Sequence, residues 1–423
     1  MSFLYNLALL FGLTIFIPYI AWRLFSGKET MESVKQKLGI YPAPPPAKGG
    51  IWIHAVSVGE TKAAIPLVEM LAKSGKPVIF SASTRTGMGL ARDRLAGKAA
   101  ITYFPFDFPF AVKKAVTHFS PAVAVMMETE LWPNFLRSCA KEGCKTVLIN
   151  GRISDRSFGR YRQFRPFIAP VLENMDMLLM QSRNDAERIA ALGARPDRVR
   201  AAGNIKFDIP LPAPEEKPAM RKKFGLPEGK TAVIFASIHP GEDELLLETA
   251  RHISSGRNDL CFVIAPRHIE RAQKLAETCR TYGFIPVLRS SGKPLAEGSI
   301  LVMDTIGELA QAYGAADIAV IGGSFVPHGG QNPLEAAAWG VPVAFGPHME
   351  NFREITQKLL ESGGAQQVAK LADLNQLLQK WLADPATRST VGKAGRTTVS
   401  ANRGALEMTK QGILELLGDT KRE

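Results

Sequence analysis

Ile318-Ala319-Val320-Ile321-Gly322-Gly323-Ser324-Phe325-Val326-Pro327-His328-Gly329-Gly330-Gln331-Asn332-Pro333-Leu334-Glu335-Ala336 changes character twice. Its first six residues form an apolar run closed by glycine, the pattern of a buried parallel strand. From Leu334 to Trp339 the pattern reads as a helix start. Strand, glycine-rich turn and helix start together present bare backbone N–H groups to an anion. Asn332 and Glu335 fall one turn apart, where both can take polar groups of one ligand. A plainer alternative gives the glycines only a tight connection and Asn332 only a capping role.

Working outward, the same alternation repeats. In the second half, strands are predicted over 232–237, 261–265, 300–303 and 341–345. The first three are followed by His239-Pro240-Gly241-Glu242, Pro266-Arg267-His268 and Ile306-Gly307-Glu308, each opening a helix. In the first half, strands are predicted over 50–56, 78–82, 122–127, 146–150 and 178–181, again with polar clusters at their ends. Strands alternating with helices mean a mostly parallel, doubly wound sheet, and ligands of such sheets bind beyond the carboxyl ends of the strands. Pro210, Pro212, Pro214 and Pro218 mark a linker between the halves. The expectation is two Rossmann-like α/β domains with an active cleft between them: residues 26–205, and 206–423 with a final helix that can return to the first domain.

At 423 residues the chain is too long for one ordinary core. Its net charge of +12 favours anionic partners. No zinc-finger spacing or RNA-binding aromatic signature occurs, so nucleic acid is not expected. Phe3 to Trp22 carries no charged residue and is long enough to cross a bilayer. No basic stretch precedes it; Arg23, Lys28, Lys35 and Lys37 follow it, which predicts an anchor at residues 1–25 with the bulk of the chain cytoplasmic. The alternative is a helix lying in the interface or packed on the domain. Pro42, Pro44, Pro45 and Pro46 form a stiff spacer after it. Cys139, Cys144, Cys261 and Cys279 form no C-x-x-C pair and read as reduced core residues.

Candidate chemistry sits at the strand ends. Glu60 follows Gly59 at a strand-to-helix turn, where N–H groups are expected to lower its pKa and hold it ionised. Glu128 and Glu130 leave a strand two residues apart and are expected on one side. Arg267 can set its charge against a phosphate, Gly307 admits close backbone approach, and Glu308 and Glu335 can accept from ribose hydroxyls. Arg85, at another strand end, is a candidate for binding an acceptor, as are the arginines that follow. Arg152, Arg156, Arg160 and Arg162 are interleaved with Phe158, Tyr161, Phe164 and Phe167. That mixture is either a solvated helix face or a surface for a phosphorylated amphiphile. No P-loop, no G-x-G-x-x-G after the first strand and no His/Cys cluster of metal-ligand spacing is present, which disfavours nucleotide hydrolysis, dinucleotide redox chemistry and a metal.

Taken together, residues 54–60 (HAVSVGE), 127–133 (METELWP), 203–208 (GNIKFD), 266–268 (PRH), 307–309 (GEL) and 329–335 (GGQNPLE) resemble the Kdo transferases, 3-deoxy-D-manno-octulosonic acid transferases of lipopolysaccharide assembly. Ala336 stands where that family often has proline. The resemblance implies a GT-B architecture, a cytoplasm-facing inner-membrane enzyme, CMP-Kdo as donor, a phosphorylated lipid A precursor as acceptor, and no cofactor. Carried over by motif, Glu60 would be the base, and Glu130 and Lys206 would stabilise the transition state. Pro266, Arg267, Ile306, Gly307, Glu308, Asn332, Pro333, Leu334 and Glu335 would hold CMP. Two other readings are a membrane-bound GT-B transferase using a UDP-sugar, such as a lipid A disaccharide synthase, and a non-catalytic membrane-tethered nucleotide-binding adaptor. The adaptor has no need of Glu60, Glu130, Lys206 and Arg267 together.

Overall fold

The computed structural model describes residues 2–42, 44 and 46–418. Pro45 of the proline spacer, Met1 of the anchor and 419–423 of the second domain lie outside the described residues. The chain folds into two compact units, Met1–Asp208 with Arg403–Glu423, and Ile209–Asn402.

The first unit is built on seven strands: β1 Ile51–Ala55, β2 Val78–Ala82, β3 Ala100–Tyr103, β4 Val123–Met127, β5 Lys145–Gly151, β6 Met177–Met180 and β7 Val199–Ala201. They pair in parallel in the order β3-β2-β1-β4-β5-β6-β7. Helices cover both faces, so β1, β2 and β4 are buried along their whole length. On one face Ile51, Ile53 and Ala55 pack with Leu67 and Val68; on the other Trp52 packs with Phe104, Phe119 and Phe135. The last helix, Ala405–Leu416, also lies on this unit. Asp208 fixes its start by accepting from the N–H groups of Gly404 and Leu406, both at 2.6 Å.

The second unit carries β8 Thr231–Ile238, β9 Leu260–Pro266, β10 Ile285–Leu288, β11 Ser299–Val302, β12 Ile318–Ile321, β13 Val343–Phe345 and β14 Ala365–Gln367. These are parallel in the order β10-β11-β9-β8-β12-β13-β14. In each sheet the winding direction reverses once, between β1 and β4 and between β8 and β12. The loops that leave those strands are therefore where a doubly wound sheet opens a crevice for ligand.

Ser2–Phe25 is one helix, and within it Phe3–Phe25 has a mean hydropathy of 1.9, long and apolar enough to cross a membrane. All four cysteines are buried and unpaired.

Candidate active site

In the first unit, the turn after β1 delivers Glu60. Ser57 caps the helix Val58–Ala72. The Glu60 carboxylate accepts from the Val56 N–H at 2.8 Å and from the Ser57 hydroxyl at 2.8 Å. These bonds lower its proton affinity, but burial and the charge of Glu128 raise it, and burial is the larger effect. The expected depression of Glu60 is thus reversed: its pKa lies above the usual carboxylate value.

After β4 the strand alternation fails at Glu128, whose φ of 56° puts it in the left-handed region. The expectation that Glu128 and Glu130 share a side by period two does not apply past Met127, where β4 ends. They still feel each other's charge. Burial, then repulsion from Glu60, pushes Glu130 up to about 7, with Glu128 adding a smaller push. Lys206 reaches Glu128 at 3.1 Å. Its loop is held from below: the Asn150 Oδ1 accepts from the Ile205 N–H at 3.1 Å, and the Asn204 Nδ2 donates to the Gln181 Oε1 at 3.1 Å. Glu60, Glu128, Glu130 and Lys206 thus form one half-buried cluster. Beneath it His54 is fully buried, stacked on Phe104 at 3.7 Å, and held neutral by burial with a pKa of about 3.

Glu130 carries a testable sign. Its folded value of about 7 exceeds the ordinary 4.5, so between those limits the folded chain keeps a proton that the unfolded chain has released. Stability must fall as pH rises through that window and stay lower above it. Glu130→Gln is expected to raise Tm at pH 8, with the gain gone by pH 4. Equal gains at both pH values would contradict the assignment.

In the second unit, the turns after β8 and β12 are tied together by a residue that the sequence reading passed over. Glu242 is fully buried. Its carboxylate accepts from the N–H groups of His239 (2.8 Å), Gly323 (2.7 Å), Ser324 (3.1 Å) and Phe325 (3.0 Å). The glycine turn was expected to offer bare N–H groups to an external anion. At 323–325 it grips the protein's own carboxylate instead. The helix that follows is only Leu334–Ala338, with Pro333 at its N-cap, and the Leu334 N–H is taken by the Asn332 Oδ1 at 3.1 Å. Gly322 is required here: a Cβ would sit 2.6 Å from the Ile238 Cα, so only glycine lets β8 and β12 close up. At Gly330, with φ 75°, a Cβ would run into Met349.

Arg267 is exposed directly after β9. The next segment is one 3-10 turn, Ile269–Arg271, and the α-helix begins only at Ala272, so Arg267 does not open a helix as expected. Its N–H donates to the Ile238 carbonyl at 2.9 Å. Burial first, then the charges of His328, Arg267 and His268, lower His239 to about 4. His239 stacks on His328 at 4.4 Å and accepts from the Gln331 amide at 3.0 Å, which fixes a neutral ring beside the arginine. Glu308 accepts from Thr305 at 2.6 Å and pairs with Arg289 at 3.1 Å and Lys223 at 3.4 Å. Those contacts hold it below the ordinary carboxylate range. Gly307 has φ 85°, and Ile306 is exposed. Pro266 is half-buried, Pro333 and Leu334 are buried, and Glu335 is half-buried with its charge near Tyr313. Pro333 and Leu334 therefore offer a ligand no exposed side chain.

The remaining candidates lie elsewhere on the first unit. Arg85 donates to the Gly27 carbonyl at 2.9 Å and so ties down the end of the apolar helix. Arg152, Arg156, Arg160 and Arg162 are exposed, and among the described residues their guanidinium groups hold no carboxylate. Phe164 and Phe167 beside them are also exposed, whereas Phe158 and Tyr161 pack against the core. Among the described residues no group of three or more His, Cys, Asp or Glu side chains is arranged to hold a metal ion.

Comparison with known proteins meets this geometry. Residues 32–209 match the family described as 3-deoxy-D-manno-octulosonic-acid transferase (kdotransferase). The 3-deoxy-D-manno-octulosonic acid transferase of Haemophilus influenzae is 32% identical over 98% of this chain and 97% of its own. That of Bordetella pertussis is 32% identical over 89% of each. Among solved structures, a glycosyltransferase from Rickettsia africae superposes with a TM-score of 0.58 at 13% identity, covering 89% of this chain and all of its own. Acinetobacter baumannii MurG gives 0.57 at 12% over 87% and 100%. These two similarities bear on the fold alone, which is GT-B. Identity of 32% across nearly the whole length shows that the chain belongs to the Kdo transferases, a glycosyltransferase family of lipopolysaccharide biosynthesis.

Proposed function

We propose that the chain moves Kdo from CMP-Kdo to a sugar hydroxyl of a phosphorylated lipid A precursor, with inversion and with protein groups alone offsetting charge. The observation that carries the reading is Glu60: a carboxylate held on the Val56 N–H and Ser57, with its proton affinity raised by burial and by Glu128. A general base works best when its pKa approaches the working pH. Glu60 takes the proton from the acceptor hydroxyl as that oxygen attacks the anomeric carbon, and the bond from that carbon to the CMP phosphate oxygen breaks. Attack from the face opposite the leaving phosphate inverts the centre. Glu130 stabilises the cationic sugar, and Lys206, held beside Glu128, offsets the negative charge that develops on CMP. Pro266, Arg267, the 306–308 turn and 332–335 hold CMP, with Arg267 against its phosphate. The apolar helix Ser2–Phe25 keeps the enzyme at the inner membrane, catalytic units cytoplasmic.

The deciding experiment is transfer from CMP-Kdo to a phosphorylated lipid A precursor followed by mass spectrometry, which also counts the sugars added. No product would overturn the reading. Protection against thermal unfolding by CMP but not UDP is expected, since only a ligand that binds the folded state raises Tm; stronger protection by UDP would favour a UDP-sugar transferase.

The exposed arginines are assigned to the acceptor's phosphates. Changing Arg156, Arg160 and Arg162 together to Ser is expected to raise the acceptor KM roughly tenfold, about 0.5 kcal/mol for each exposed charge contact. The donor KM should stay unchanged, and the reverse ordering would refute the assignment.

A further inference from the structure

An apolar groove of about 410 Å³ runs between the helix Ser2–Phe25 and the 104–108 loop. Leu9, Gly12 and Phe16 form one wall, and Phe104, Phe106 and Trp132 the other. The volume falls within the roughly 300–1,000 Å³ of ordinary ligand sites. The helix lies along the unit: the Tyr5 hydroxyl donates to Asp107 at 2.9 Å, the Asn134 Nδ2 donates to the Asn6 Oδ1 at 2.7 Å, and Phe16 meets Phe106 edge-on at 4.9 Å. Ala8 and Phe16 both line the groove and are about 12 Å apart along the axis, so it extends beside about two turns. The opposite face of the helix bares Phe3, Leu10, Phe11 and Ile15, a surface suited to acyl chains of a leaflet.

One end of the groove adjoins the carboxylate cluster. Trp132 lines it and lies close enough to Glu130 to affect its protonation, yet its buried Nε1–H completes no hydrogen bond among the described residues. Ser83 lines it too, with its hydroxyl 3.4 Å from the His54 Nε2. A lipid whose head-group hydroxyl sits at those carboxylates has its hydrocarbon beside Trp132.

Resting on the function proposed above, we infer that this groove holds one fatty-acyl chain of the lipid acceptor, entering from the membrane along Phe16 and ending at Trp132. The occupant is the substrate's own chain, because the groove meets the carboxylate cluster at Trp132 and is walled by a helix whose opposite face suits a membrane. Acyl recognition then positions the acceptor hydroxyl.

Gly12→Leu tests this with the full-length enzyme. A Cβ at Gly12 meets no atom within 4 Å, so the position has room for a side chain at the groove wall, and leucine favours helix over glycine. Transfer is measured to a phosphorylated, acylated glucosamine disaccharide and to its fully deacylated form. Each methylene withdrawn from water is worth up to about fourfold in affinity, so blocking a few is expected to raise the acylated KM by about tenfold or more. The deacylated KM and kcat should not change. Equal shifts for both acceptors, or none, would overturn the inference. Release of the variant from vesicles with an unchanged acylated KM would also overturn it, by giving the groove to bulk lipid. As a second readout, an acceptor with a diazirine on one acyl chain should cross-link to wild-type Leu9, Gly12 or Phe104; adducts confined to Phe11 and Ile15 would count against it. Failure of wild type to use either acceptor would instead defeat the underlying Kdo-transfer reading.

Discussion

Glu60→Gln is expected to lower kcat by about 10²- to 10⁴-fold, the usual contribution of a positioned general base, while CMP binding by calorimetry stays within error of wild type. The amide oxygen can still accept from the Val56 N–H, and Ser57 still caps its helix, so the local fold has every reason to persist. What disappears is the capacity to take a proton. The residues proposed to hold CMP belong to the other unit, Ile209–Asn402, whereas the Glu60 carboxylate bonds to Val56 and Ser57 of its own unit. Turnover close to wild type would remove Glu60 as the base and leave it a helix-terminal residue. The pH profile gives an independent check. Because burial and the charge of Glu128 raise Glu60, the acid limb of kcat/KM should lie above the ordinary carboxylate value and move to lower pH in Glu128→Gln.

Glu242→Ala is expected to destabilise the second unit by ~3–5 kcal/mol, since bonds to a charged acceptor are worth about 1.5–3 kcal/mol and buried N–H groups left unpaired cost about 1–3 kcal/mol each. Four such N–H groups depend on this one side chain. For a unit of this size the loss corresponds to a fall of roughly 10 °C in its transition. Two turns, after β8 and after β12, lose their shared anchor, so the CMP affinity should fall with it. Glu242→Gln is the informative companion: its oxygen can keep two of the donors, but its NH₂ group faces the other two. A calorimetric transition within 2 °C of wild type in the alanine variant would show that the turns hold themselves.

The sequence reading was strongest where strands are buried on both faces. β1, β2, β4, β5, β6, β8, β9, β11, β12 and β13 are apolar runs closed by turn residues, and each was legible to within about two residues. β3, β7, β10 and β14 were missed, and they are the four edge strands of the two sheets. An edge strand has one neighbour and less need of apolar side chains. Val199-Arg200-Ala201 and Ala365-Gln366-Gln367 are mostly exposed and carry no strand signal. Glu60, Glu130 and Arg267 became candidates because polar residues at strand ends are conspicuous, and Lys206 through the family resemblance alone. Glu242 was passed over because its partners are backbone groups some 80 residues away, and a carboxylate opening a helix looks ordinary. Its signal was the His239-Pro240-Gly241-Glu242 turn facing a glycine pair in the neighbouring strand's exit, which only the strand order connects. The direction of the Glu60 shift was misread for a similar reason: the local N–H groups are visible in sequence, whereas burial and the approach of Glu128 are not.

The cap that Asp208 places on Gly404 and Leu406 has a consequence for synthesis. On the ribosome, β1 to β7 emerge first, but the helix that covers β4 and β5 follows only after Ile209–Asn402 has been made. The unit begun first is therefore completed last, with apolar surface such as Ile413's docking site uncovered in the meantime. A fragment stopped at Asp208 should be a client for chaperones, and joining residues 1–208 directly to 403–418 should restore a soluble, cooperatively melting product.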